Sequence, residues 1–167
     1  SESSKRTIMP LKYVPLDCAF MTYECNQRCN YCYLKYWSKF QKNSKVIPFD
    51  TVAKFFLELK NNGVNTIHLT GGEPLTLPYI SELLLFLRRN GFCVSITTNM
   101  GLMTDALAKI IKTVHIDNIR VSLNGYKERH NSIVDVPGAF ENALRWIVYF
   151  KNNGTRVFVN YVVTNRN

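Results

Sequence analysis

The sequence predicts an α/β fold, a partial β/α barrel of about five parallel strands with outer helices. The first observation is a repeat. An amphipathic stretch ending in Asn-Gly is followed by a β-branched run at Asn62-Gly63, at Asn90-Gly91 and at Asn153-Gly154. Glycine just past a helix suits a left-handed closing residue, and the apolar run suits a buried strand. Each repeat therefore reads as a helix followed by a strand of a parallel sheet. The second observation is length. An eight-unit barrel takes roughly 31 residues per unit. Residues 15–167 have room for about five units, so a sixth strand is missing. The expectation is an incomplete barrel core over 15–167 behind a polar N-terminal leader at 1–14, with its edge open or completed by a partner chain.

The elements follow in order. A first strand is expected at 17–22. Asp50 or Thr51 caps a helix whose inner face is Val52, Phe56 and Leu59. A second strand carries Ile67 and Leu69. Pro78 opens a helix with Leu83, Leu84 and Leu87 inward. The third strand is 93–97. Thr104 caps a helix burying Leu107, Ile110 and Ile111, and the fourth strand runs over 118–123. A fourth helix uses Phe140, Leu144, Ile147 and Val148, and the fifth strand is 156–163. Residues 33–47 mix lysines with Tyr36, Trp37 and Phe40 and lack periodicity. They read as a rim loop, with a cover over the site as the functional alternative.

A hydrophobic fraction of 46% supports a core, and no apolar run approaches the roughly 20 residues a membrane span needs. The polar N-terminus lacks the apolar core of a signal peptide, so a cytoplasmic protein without membrane contact is expected. Lys and Arg outnumber Asp and Glu to give a net charge of +9. That balance favours nucleotides, phosphates, RNA or an acidic redox protein without choosing among them.

Five cysteines, an odd count, argue against a closed disulfide framework. Cys18 and Cys93 fall in expected strands and read as small buried apolar residues. Cys25, Cys29 and Cys32 crowd into one polar loop, Cys25-Asn-Gln-Arg-Cys29-Asn-Tyr-Cys32. One loop can wrap three thiols around one metal centre. Iron–sulfur clusters usually have four thiolates, so three would leave one iron open to another ligand. Zinc is the rival, with His68, His115 or His130 as a fourth ligand; cysteines serving only as core residues are a third reading.

Four motifs carry a resemblance. Cys-x3-Cys-x2-Cys with an aromatic before the last Cys ends the first strand. Thr70-Gly71-Gly72-Glu73-Pro74 closes the second, Thr97-Thr98-Asn99 the third, and Val121-Ser122-Leu123-Asn124-Gly125 the fourth. Together they resemble the radical S-adenosylmethionine (SAM) superfamily, whose fold is a (β/α)6 barrel. The resemblance implies that Cys25, Cys29 and Cys32 bind a [4Fe–4S] cluster, which gives an electron to SAM bound at its open iron. It further implies SAM contacts from Tyr31 and Tyr33 to the adenine, from the backbone of Gly71 and Gly72 to the methionyl ammonium, and from Glu73, Thr98, Ser122 and Asn124. Asn124 stands where the family usually has a carboxylate. His130 reads as a hydrogen-bonded structural residue, and no acid–base pair or nucleophile stands out as catalytic.

The segment from Ser122 to His130 and the run from Gly138 to Ala143 resemble peptide- and protein-maturing members with cysteine-rich tails. The implied substrate is a peptide or protein, and the implied electron donor a small protein of flavodoxin or ferredoxin type. A GTP-acting enzyme of molybdenum-cofactor synthesis or a tRNA-modifying enzyme is the alternative within the superfamily, and nucleic acid is not the favoured partner. The alternative outside catalysis is an iron–sulfur or zinc binding module.

Overall fold

The computed structural model describes residues 14–34 and 45–164. The expected leader, save Val14, and the aromatic stretch 35–44 lie outside the described residues. Five parallel strands form one sheet in the order β1-β2-β3-β4-β5. They are β1 (Val14–Phe20), β2 (Val64–Thr70), β3 (Cys93–Thr98), β4 (Asn118–Ser122) and β5 (Val157–Asn160). The helices are α1 (Phe49–Asn61), α2 (Ile80–Arg89), α3 (Asp105–Thr113), α4 (Glu128–Val134) and α5 (Ala139–Asn152). Every connection to a parallel neighbour must cross back over the sheet, and in each one from β2 onward a helix makes the return.

The core lies between one face of the sheet and the helices. Ile67, Leu69, Val94, Ile96, Ile119 and Val121 of the strands pack with Phe56, Leu83, Leu84, Leu87 and Ile111 of the helices. Because side chains alternate along a strand, the intervening residues Thr66, His68, Ser95, Thr97 and Arg120 point to the other, concave face. Registers His68↔Ser95, Thr97↔Arg120 and Ser122↔Asn160 keep the strand ends level. Thr70, Thr98 and Ser122 therefore finish along one rim, the C-terminal edge of the sheet, where open α/β sheets hold their ligands.

The element order matches the expectation, with differences in detail. Strand β1 spans Val14–Phe20, so the chain leaves the sheet two residues earlier than expected and gives those residues to the cysteine loop. Pro48 holds the N-cap of α1, and Asp50 lies in the first turn instead of capping it. Pro78 precedes the N-cap Tyr79 of α2 by one residue. Thr104 does cap α3, its hydroxyl accepting the Leu107 N–H at 3.2 Å. Helix α4 was not anticipated. Helix α5 buries Ala139, Phe140, Ala143, Trp146 and Phe150, while Leu144 and Val148 are 43% and 48% exposed. The aromatic rings bury more apolar area than the aliphatic stripe, so they set the rotation of the helix. Cys18 is exposed and Cys93 only half-buried, so neither is the core residue expected.

Strand β5 is the outer edge of the sheet among the described residues, and its Phe158 and Val159 are 51% and 53% exposed. In hydrogen exchange the outward-facing amides of β5 should exchange with little protection, while those of β3 exchange near the global unfolding limit. Uniform protection of β5 would contradict an open edge.

Candidate functional site

The loop over residues 21–34, which carries the cysteines, is held from two sides. From below, the turn after β2 presses its backbone against it. The Gly72 N–H donates to the Thr22 carbonyl at 2.6 Å, and the Glu73 N–H to the Glu24 carbonyl at 2.7 Å. No side chain fits in this approach. Gly71 has φ +142°, in the region that favours glycine, and a Cβ there would stand 2.5 Å from the Thr22 oxygen. A Cβ on Gly72 would collide with the Glu24 carbonyl. The closeness that the two glycines permit is therefore first of all to the cysteine loop. From the other side, the C-terminal carbonyls of α4 accept from the loop, Ile133 from the Asn30 N–H at 2.9 Å and Val134 from the Arg28 N–H at 3.0 Å. The unexpected helix thus ends on the cysteine loop, which satisfies its terminal carbonyls.

Glu73 is 1% exposed. Its carboxylate accepts from the Thr98 hydroxyl at 2.7 Å, from the Asn99 N–H at 2.7 Å and from the Leu75 N–H at 3.1 Å. Burial pushes its carboxyl up to about 7, against the pull of these donors, Asn99 first. Asn99 carries the tie onward. Its side-chain amide donates to Asn26 Oδ1 at 2.9 Å and lies 3.7 Å from the Cys25 sulfur, while its Oδ1 accepts the Gly101 N–H at 2.7 Å. Glu73 and Thr98, expected as cofactor contacts, are thus hydrogen-bonded to each other inside the protein.

Asn124 is also fully buried. Its backbone N–H donates to His130 Nδ1 at 3.0 Å, its side-chain amide donates to the Tyr31 hydroxyl, and its Oδ1 accepts the Val162 N–H at 2.9 Å. One residue binds the end of β4, the exit of β5, helix α4 and the cysteine loop. Its neutral amide supplies a donor and an acceptor, which a carboxylate could not do. His130 is wholly buried as well, and desolvation holds its ring below the ordinary histidine pKa, in the neutral form. With Nδ1 accepting, the proton sits on Nε2, so the structural reading of His130 fits.

Residues open to a ligand remain around this scaffold. Cys29 and Cys32 are half-buried and Cys25 is exposed. The loop still desolvates the Cys25 sulfur enough to lift its thiol to about 11, and Glu73 and the other two thiols add to the rise. Three such sulfurs ionise together when a cationic centre supplies the compensating charge. Among the described residues no three His, Cys, Asp or Glu side chains converge as ligands of a single ion. Thiolates on separate irons of one cluster need not converge in that way, and the donor set fits such a cluster. The Tyr31 hydroxyl shares a hydrogen bond with the Cys29 thiol, and desolvation chiefly raises the phenol pKa. Tyr33 is 61% exposed, and Ser122 is half-buried at the rim. His68 lies on the concave face bonded to the Ser95 and Thr97 hydroxyls at 2.7 and 2.8 Å, away from the cysteine loop. Two structural ties escaped the sequence reading: Asn99 stood there only as the end of a strand motif, and α4 left no periodic signal in seven residues.

The family model described as the radical SAM superfamily matches residues 20–166. A Fe-coproporphyrin III synthase of Methanosarcina barkeri is 28% identical over 152 residues, covering 88% of this chain and 36% of that protein. A GTP 3′,8-cyclase of Lactiplantibacillus plantarum is 34% identical over 116 residues, covering 68% of this chain and 35% of that protein. The chain spans a third to under a half of the length of these curated relatives. Among solved structures, Streptococcus suis SuiB bound to precursor peptide SuiA superposes with a TM-score of 0.77 at 21% identity, over 89% of this chain and 33% of that one. That likeness is one of fold. No helix among the described residues is long and apolar enough to cross a membrane.

Two measurements check the scaffold. In its native state Glu73 holds its proton to higher pH than the ordinary value of 4.5. Between that value and about 7 the folded form binds more protons than the unfolded one. Unfolding free energy should therefore fall as pH rises through this window and level off above it. Glu73→Gln, shaped like the neutral acid and without a proton to lose, should remove that part of the slope in urea denaturation. Gly72→Ala should cost about 1–3 kcal/mol by forcing the cysteine loop from the turn, read as a lower denaturation midpoint. An unchanged midpoint would show that the loop does not depend on this contact.

Proposed function

Because this chain belongs to the radical SAM superfamily, we propose that residues 15–167 form the core of an enzyme that cleaves S-adenosylmethionine reductively and takes hydrogen from its substrate. Cys25, Cys29 and Cys32 would hold three irons of a [4Fe–4S] cluster and leave the fourth for SAM. When bound, that cluster supplies the electron that splits SAM, and the resulting radical removes the hydrogen atom. The chain's own residues position and exclude. Gly71 and Gly72 offer backbone carbonyls at the rim, Ser122 offers a hydroxyl, and Tyr31 and Tyr33 offer aromatic faces to the adenine. Glu73, Thr98, Asn99 and Asn124 act behind them by fixing the loop and the rim. The observation that carries this reading is the tie from Glu73 through Asn99 to the Cys25 segment, which joins three motifs at one rim.

A peptide or protein is the substrate class we favour, supported by the fold likeness to a solved complex with a precursor peptide. Action on a nucleotide is the second reading, and the 34% identity to a GTP 3′,8-cyclase favours it. The basic surface suits an acidic flavodoxin- or ferredoxin-type donor.

Anaerobic reconstitution should give about four irons per chain, as one cubane requires, and 5′-deoxyadenosine on addition of SAM and dithionite. Cys29→Ala should lose the visible absorption of the cluster. Full iron in that variant would contradict the ligand assignment, and zinc retained in place of iron would favour a binding module.

A further inference from the structure

Over β2 to β4 the concave face of the sheet is polar, and Arg120 is the one Lys or Arg on those strands. Ile119 and Val121 are fully buried in the helix-backed core, so Arg120 between them points to the opposite face, where it is exposed. Its register partners there are Thr97 on β3 and Phe158 on β5. The Thr97 hydroxyl is bonded to His68, and Phe158 is 51% exposed. Strands β2 to β5 carry no acidic residue. Among the described residues the Arg120 side chain takes part in neither the ion pairs Arg88–Asp117 and Arg145–Asp105 nor a hydrogen bond. A guanidinium on the penultimate strand of a parallel sheet, beside a half-exposed aromatic ring, is a poor stabiliser of the fold. It is a good receptor for a planar or tetrahedral oxyanion, because its fork donates two parallel hydrogen bonds. Arg120 also sits one pleat below Ser122, deeper in the concavity than the rim at which SAM is proposed to bind.

We propose that Arg120, with Phe158 beside it, forms an anion subsite on the concave face that receives a carboxylate or phosphate group of the substrate. The inference rests on the enzyme reading above for the word substrate, but the binding itself needs no iron. Calorimetric titration of the protein with inorganic pyrophosphate and, separately, with glutarate distinguishes the two sources of the anion. One of them should bind saturably at one site. Arg120→Gln should weaken that binding about tenfold or more, Arg120→Lys should retain an intermediate affinity, and Arg145→Gln on the outer helix should bind as the parent does. SAM affinity should be the same in Arg120→Gln and the parent. Binding of neither anion, binding unchanged by Arg120→Gln, or a matching loss of SAM affinity would each overturn the subsite. A protein that assembles the cluster and ignores both anions overturns this inference alone. One that binds the anion through Arg120 and assembles no cluster supports it and overturns the enzyme reading.

Discussion

The carboxylate of Glu73 is buried where the turns after β2 and β3 meet, and it satisfies donors from both. A buried charge is tolerated only when hydrogen bonds replace its hydration. Thr98, Asn99 and Leu75 must therefore stay in place for Glu73 to stay folded inside. Asn99 in turn reaches the cysteine loop, and Gly71 and Gly72 let that loop lie directly on the turn. The rest of the site inherits this geometry. Three separate motifs become one rigid rim because one carboxylate cannot be left without its partners.

A second knot sits across the rim. Asn124 joins the Tyr31 phenol, the Val162 amide and the His130 ring, and α4 ends on the backbone of the loop. The thiols lie between these two knots. Residues so placed hold the loop and its thiols in position. The cysteine loop is thereby held on both flanks, which lowers the cost of ordering its thiols for a ligand.

The sheet divides its labour by face. Residues facing the helices are apolar and interdigitate, and they supply the hydrophobic stabilisation. The alternate residues of β2 to β4 are polar and leave a concave surface suited to a ligand. His68 satisfies both ring nitrogens within that face, whereas Arg120 offers its charge outward. Stability and recognition thus occupy opposite sides of the same strands and can change independently.

Much of this was legible in the sequence. Helix-then-strand order, the inward faces of α1 and α2, the Thr104 cap and the alignment of four motifs at strand ends all depend on local periodicity and on turn residues. Local patterns carry that information because alternation and helical spacing are properties of adjacent residues. The roles of Glu73, Thr98 and Asn124 were not legible. Each has a polar side chain at the rim that could face a cofactor or a neighbouring turn, and the choice depends on residues between 25 and 93 positions away. The rotation of α5 was misread at Leu144 and Val148, since both its aromatic and its aliphatic stripes have helical spacing and only the shape of the core selects between them. The sequence alone thus determined the fold class and the cysteine loop. The tertiary structure decided which polar groups are spent internally and which remain for a ligand, because that depends on burial and on distant partners.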